Sequence, residues 1–174
     1  LKFKACCVAA EDTVLGVANL AGFETIHKSS FTGNIDTNIE EKAKAAVEAL
    51  KTNDLVVLHY KATDLMGHDN NPQGKVEAIE KYDKMLKIVL DLIKEEQLDN
   101  VIIALAADHS TPCERKEHSG DPVPVLINGK GIRKDCVEKY DEISCSQGGL
   151  YRIKGSDLIS ILLDYLELTV KQGN

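Results

Sequence analysis

The 174-residue sequence predicts an α/β fold, a mostly parallel sheet with helices on both faces. Three observations predict it. Short apolar runs alternate with longer amphipathic segments, the pattern of successive strand–helix units. The run Val101–Ala107 is apolar at every position, as a strand covered on both faces would be. Acidic and imidazole side chains gather in the stretches that follow two of these runs, where parallel sheets place their ligand sites.

The first strand, Ala5–Ala9, carries adjacent Cys6 and Cys7, which an extended backbone sends to opposite faces as small buried residues. Helix Glu11–Ala21 follows and stops at Gly22, a natural residue after a helix end. Strand Phe23–His27 leads to a polar loop, Ser29–Asn38, and then to helix Asn38–Leu50. Asn38 with Glu41 reads as a box-like cap, and the alanines favour helix. Strand Leu55–Tyr60 is followed by the loop Tyr60–Gly74. The longest helix, Lys75–Gln97, has Val76, Ile79, Leu86, Val89, Leu90 and Ile93 at helical spacing. Strand Val101–Ala107, loop Asp108–Pro124 and strand Val123–Ile127 come next. Gly129–Gly131 reads as a turn, Ser156–Leu168 as a helix behind a serine cap, and Leu168–Asn174 as a frayed tail.

With 43% hydrophobic residues and no linker or repeat, residues 1–174 read as a single domain. The net charge of -7 disfavours nucleic acid as a partner, because an acidic surface repels phosphate backbones. No apolar run is long enough for a membrane span. Five cysteines without a C-x-x-C pair point away from a disulfide framework and towards a reducing, cytoplasmic compartment. The start, Leu1–Ala5, has neither an initiator methionine nor a signal-peptide pattern, so the chain is expected to be a piece of something longer.

Chemistry concentrates in the two loops. Asp64 and His68 are four residues apart, so a helical turn would put them on one side. Asp108 and His109 stand where the most apolar strand opens, and His118 lies shortly before the stiff Asp121–Pro124. Imidazole and carboxylate together suit Zn²⁺, Mn²⁺, Co²⁺ or Fe²⁺, with Mn²⁺ or Mg²⁺ favoured as oxygen ligands increase. Taken singly, Asp64–His68 also fits a cap or surface pair, and Asp108–His109 the cap of the next turn. His27 and His59, in or beside strands, read as structural. No G-x-S-x-G elbow, phosphate-binding glycine loop or dinucleotide fingerprint is present. Nothing marks Cys113 as an activated nucleophile, and Ser110 reads as a turn residue.

The stretch His59–Asp69 (HYKATDLMGHD) resembles the metal motif of cofactor-independent phosphoglycerate mutases, and more closely their archaeal-type branch within the alkaline phosphatase superfamily. Ala107–Cys113 (ADHSTPC) and His118–Pro124 (HSGDPVP) resemble the second and third metal motifs. Thr32–Asn38 and Gly16–Gly22 resemble two further family segments. The resemblance runs nearly end to end.

It implies an alkaline-phosphatase-like α/β core of which this chain is the C-terminal part, with N-terminal strands and a substrate-covering domain elsewhere. It implies two divalent metal ions, Mn²⁺ foremost with Zn²⁺, Co²⁺ or Mg²⁺ as alternatives, and no 2,3-bisphosphoglycerate. Asp64, His68 and His118 would hold one ion; Asp108 and His109 would contribute to the other. The family's nucleophilic serine, and a further aspartate ligand, have no match in these residues. The implied activity is a cytoplasmic, glycolytic isomerase interconverting 3-phosphoglycerate and 2-phosphoglycerate through a phosphoserine. The implied partner is the missing N-terminal half, and the chain alone is expected to be inactive. Two other readings are a phosphate- or phosphonate-ester hydrolase of the same superfamily and an inert metal-binding remnant.

Overall fold

The computed structural model describes residues 3–169. Strands and helices alternate as expected through β3, and two short helices, α3 and α5, add to the four expected: β1 (Ala5–Val8), α1 (Asp12–Leu20), β2 (Glu24–Ile26), α2 (Ile39–Leu50), β3 (Leu55–Leu58), α3 (Ala62–His68), α4 (Pro72–Glu95), β4 (Ile103–Ala106), β5 (Val125–Asn128), α5 (Glu142–Cys145) and α6 (Gly155–Tyr165). The chain divides into two compact units. The first comprises residues up to Leu98 together with Thr111–His118, and the second Asp99–Ser110 with Ser119 onward.

In the first unit β2, β1 and β3 form a parallel sheet in that order, with Cys6 between Glu24 and Val56. The chain steps from β1 to one edge and then back across to the other, so the carboxyl ends of β1 and β3 flank a topological switch point. Helices cover both faces. Cys7 packs with Ala18 of α1 on one, and Cys6 and Val8 pack with Ala45, Ala46 and Ala49 of α2 on the other, as the alternation of adjacent cysteines requires. Burial raises the pKa of both thiols, with Glu24 adding to it at Cys6 and Cys6 adding to it at Cys7.

Local signals set most of the boundaries. Gly22, at φ 83°, closes α1: its amide donates to Asn19 and that of Phe23 to Ala18, a Schellman end. Asn38 caps α2 by accepting from the Glu41 amide, 3.0 Å. The Glu41 carboxylate instead takes the Ser30 hydroxyl, while the Asn38 amide donates to the Ser30 carbonyl. α4 begins three residues before the expected Lys75, because Asn71 caps it by accepting from the Gly74 amide and Pro72 suits its first position. Its buried stripe agrees with the expected one at Val89, with Ile93 packed beside it, and differs elsewhere. Ala78, Met85 and Val89 face Ala43 and Val47 of α2, whereas Val76, Ile79 and Leu90 are exposed. A small alanine and a methionine fill the gap between the helices, where bulkier branched residues were expected.

The second unit departs further. β4 and β5 pair antiparallel, Ile103 opposite Asn128, and form a sheet of their own. The expected single, mostly parallel sheet is thus confined to β1–β3. The connection from Ala106 to Val125 contains no helix, and antiparallel strands, unlike parallel ones, need no crossover. β5 starts at Val125, after Pro122 and Pro124 have withheld their amides from any ladder. β4 is half-exposed, not covered on both faces, with β5 its one partner strand among the described residues. α6 is capped by Lys154, whose amide donates to Asp157, so Ser156 lies inside the helix. The helix ends at Tyr165, ahead of the expected Leu168, because Glu167 turns left-handed at φ 57°. Gly131, at φ 84°, makes the expected turn. From Val170 onward the expected frayed tail lies outside the described residues.

Candidate metal centre

β3 delivers the chain to the first half of the site. The His59 amide donates to Val8, extending the β1–β3 ladder by one residue, and α3 begins three residues later. Tyr60–Gly74 is therefore not one loop: the Asp64–His68 spacing lies on a real helix, with both side chains on one face. The second half arrives on Thr111–His118. Gly67 is what lets this segment come so close. A Cβ there would lie 2.4 Å from the Thr111 carbonyl oxygen, so only glycine permits the crossing. Lys75 of α4 then donates to that same carbonyl, 2.7 Å.

Asp64, His68 and His118 converge. The two Nε2 atoms are 3.2 Å apart, and each lies 3.4 Å from Oδ1 of Asp64. Ligands held about 2.0–2.1 Å from a tetrahedral ion stand about 3.3 Å from one another, so one carboxylate and two imidazoles in this triangle suit a divalent metal. Among the described residues this is the one group of three or more such side chains close enough to share an ion.

Neighbouring groups hold the donors in place. Nδ1 of His68 donates to the Lys116 carbonyl, 2.8 Å, which fixes the tautomer and leaves the Nε2 lone pair facing inward. The Thr111 hydroxyl, on a residue only 3% exposed, donates to Asp64 Oδ1 at 2.6 Å. The Lys61 ammonium reaches Oδ2, also at 2.6 Å. Burial alone would raise the pKa of Asp64. Lys61 and Thr111 outweigh it, with His68 adding to them, and bring the carboxyl down to about 2. Asp64 is thus an anion throughout the physiological range.

Nothing in the sequence by itself gives Thr111, Lys61 or the Lys116 carbonyl a role. The one available signal for Thr111 is its place inside the motif stretch Ala107–Cys113.

Asp108 and His109 lie just beyond β4 in the second unit. The Asp108 carboxylate accepts from the His109 amide, 3.0 Å, and lies 3.4 Å from its Nε2. Ser119 donates its amide to Ser110, closing the chain behind the excursion of Thr111–His118. Cys113 donates weakly to the Met66 carbonyl at 3.9 Å, a packing role. His27 approaches the Ala9 carbonyl through Nδ1 at 3.2 Å and meets Phe31 edge-on, a structural role as expected. No helix among the described residues is long and apolar enough to cross a membrane.

The α/β architecture and this donor triangle define a class, and sequence comparison supplies its name. The family model of the Metalloenzyme superfamily matches residues 1–165, and the chain belongs to that superfamily. Within it, the chain is 47% identical over 172 residues to the 2,3-bisphosphoglycerate-independent phosphoglycerate mutase of Thermococcus kodakarensis, covering 99% of this chain and 41% of that one. The corresponding enzyme of Pyrococcus furiosus is 46% identical over the same shares. The chain therefore spans about two fifths of the length of these relatives. The solved structure of the PH0037 protein from Pyrococcus horikoshii matches with a TM-score of 0.93 at 45% identity, covering 99% of this chain and 52% of that one. A cofactor-independent phosphoglycerate mutase from Thermoplasma acidophilum shares the fold, with a TM-score of 0.69 at 22% identity over 95% of this chain and 37% of its own.

Proposed function

We propose that this chain is the C-terminal, metal-holding part of the catalytic core of a phosphoglycerate mutase that works without 2,3-bisphosphoglycerate. The observation that carries the reading is the triangle of Asp64, His68 and His118, in a chain 47% identical to such a mutase. These three side chains would hold one divalent ion, Mn²⁺ in our reading. Asp108 and His109 would contribute to a second, completed by groups outside these 174 residues. When bound, such ions offset the negative charge of a transferring phosphoryl group and favour the alkoxide of a nucleophile.

The chain's own residues prepare that chemistry. Asp64 offers a permanent negative charge, because Lys61 and Thr111 keep it ionised. His68 offers an oriented lone pair, because the Lys116 carbonyl holds its other nitrogen. His118 closes the triangle from a separate stretch of chain. In the whole enzyme a serine outside these residues would take the phosphoryl group from 3-phosphoglycerate. The 2-hydroxyl of the retained glycerate would then receive it, giving 2-phosphoglycerate. The setting is glycolytic and cytoplasmic, and the partner of this chain is the N-terminal part of the same protein.

The test is an enolase-coupled assay of the full-length protein with 3-phosphoglycerate and Mn²⁺, omitting 2,3-bisphosphoglycerate. Conversion that a chelator abolishes is the expected result. Release of inorganic phosphate from simple esters without isomerisation would move the assignment to an ester hydrolase.

A further inference from the structure

Lys42 is 0% exposed and is the largest fully buried side chain among the described residues. It lies on the inner face of α2, otherwise built from Ala43, Ala45, Ala46, Val47 and Ala49. Its Nζ donates to the His59 carbonyl at 3.2 Å and sits 5.8 Å from the centre of the Phe31 ring. Burial pulls its pKa below that of an ordinary lysine, and the nearby Glu11 carboxylate partly offsets this. Position 42 thus holds an ammonium where the helical pattern calls for an apolar residue.

Stability does not explain the choice. Buried charges are often replaced by apolar groups of similar volume at no loss, because desolvation cancels what the contacts return. Methionine would fill the same space. What methionine lacks is a donor fixed at residue 59, the last residue of the β1–β3 ladder and the point where the chain turns towards α3. The amide of His59 is tied to β1 and its carbonyl to α2, so the direction in which the chain leaves the sheet is held from two sides. α3 is short and begins at Ala62, so a rotation at residue 59 carries Asp64 and His68 with it. His118 comes from another stretch, joined to α3 through Thr111, Cys113 and Lys116, and would follow such a rotation only in part. Metal sites tolerate errors of about 0.2 Å in ligand placement, so a small rotation is enough to spoil the triangle.

We propose that Lys42 is a positioning residue for the metal centre: by tying the His59 carbonyl to α2 it sets where α3 presents Asp64 and His68 to His118. The inference rests on reading the triangle as a metal site, and the experiment separates the two. Co²⁺ is titrated into the full-length protein, following its visible absorption, for wild type, His118→Ala, Lys42→Met, Lys42→Gln and Phe31→Leu, each also melted thermally. Wild type minus His118→Ala isolates the signal of the triangle. Lys42→Met is expected to melt at or above the wild-type temperature, yet to bind Co²⁺ there about 10–100-fold more weakly with an altered band shape, the usual scale for lost supporting groups. Lys42→Gln, one bond too short to keep the donor in place, weakens binding likewise and serves if Lys42→Met does not fold. Phe31→Leu loosens the packing beside the same ammonium but leaves the donor, so it lowers the melting temperature with Co²⁺ affinity unchanged. Wild-type affinity and band shape in the folded Lys42 variants would overturn the inference and leave the metal site standing. An equal loss in Phe31→Leu would also overturn it, because general loosening would then suffice. No wild-type signal sensitive to His118→Ala would remove the metal site and the inference together.

Discussion

The two units use apolar residues of similar character in opposite ways. Every buried apolar side chain among the described residues belongs to the first unit, where the central strand β1 is covered on both faces and α4 adds a further layer on α2. The second unit has one antiparallel strand pair, and its Ile143 and Tyr151 are 81% and 80% exposed. Strand composition is therefore a poor guide to burial. β4 is as apolar as β1, yet β1 is buried along its whole length and β4 nowhere, because β1 has a strand on each side and a helix on each face. The first unit carries its own hydrophobic stabilisation and a complete donor triangle; the second carries an Asp–His pair on a thin frame.

The largest test of this contrast is at the site. His118→Ala removes one of three donors and is expected to abolish metal binding at the triangle, read as the loss of one ion per chain by native mass spectrometry. An unchanged count would break the assignment. Next come paired truncations. Met85→Ala, at a residue 2% exposed, is expected to cost about 2–5 kcal/mol of unfolding free energy in urea. Leu126→Ala in β5, 36% exposed, is expected to cost less than about 1 kcal/mol. Equal losses would show that the second unit has a core of its own.

Acid should act on the first unit through Asp64. The Asp64 carboxyl has a folded pKa of about 2 against an ordinary 3.8, so it prefers to be ionised in the folded state. Its contribution is fully present above pH 5 and is lost as pH falls through the interval from about 4 to about 2. In urea melts of metal-free protein, wild type should lose about 2 kcal/mol more than Asp64→Asn between pH 5 and pH 2. Parallel curves would show that Lys61 and Thr111 do not hold the carboxylate. Thr111→Val keeps the shape of the side chain and removes the hydroxyl, so metal affinity should drop about tenfold by calorimetry. The smallest effect is expected at Tyr60. Its hydroxyl is buried without a hydrogen-bond partner among the described residues, and burial and then Glu77 push its pKa up to about 12. Tyr60→Phe should change stability by no more than about 0.5 kcal/mol, and in the stabilising direction.

Much of this contrast was legible in the sequence for the first unit and little for the second. Alternation placed Cys6 and Cys7 on opposite faces, and Gly22 and Asn38 marked their helix ends, because these signals act over a few residues. The Asp64–His68 spacing found one edge of the triangle for the same reason. The antiparallel turn of β5 was not legible: it depends on the path of the whole Asp108–Pro124 connection, which no local propensity reports. The buried stripe of α4 was legible at Val89 and Ile93 but misplaced at Val76, Ile79 and Leu90, because periodicity weighs a valine above an alanine, whereas the gap against α2 admits the alanine. Thr111 and Lys42 escaped because their partners lie 47 and 17 residues away. A threonine in a loop and a lysine in a helix look ordinary until those partners arrive.

The interleaving of the two units also orders events during synthesis. A nascent chain that has completed α4 already displays Asp64 and His68 but not His118, which lies 50 residues beyond His68. Two donors close no chelate of useful strength, so the growing chain carries no competent trap for a divalent ion. The third donor emerges only after Asp99–Ser110, which belong to the second unit, have been made. At about 5–20 residues per second the delay is several seconds. On the proposed reading, capture of an ion is thereby deferred until the opening segment of the second unit has been made, and the first unit, though it folds around its own core, waits on that synthesis to become a binding site.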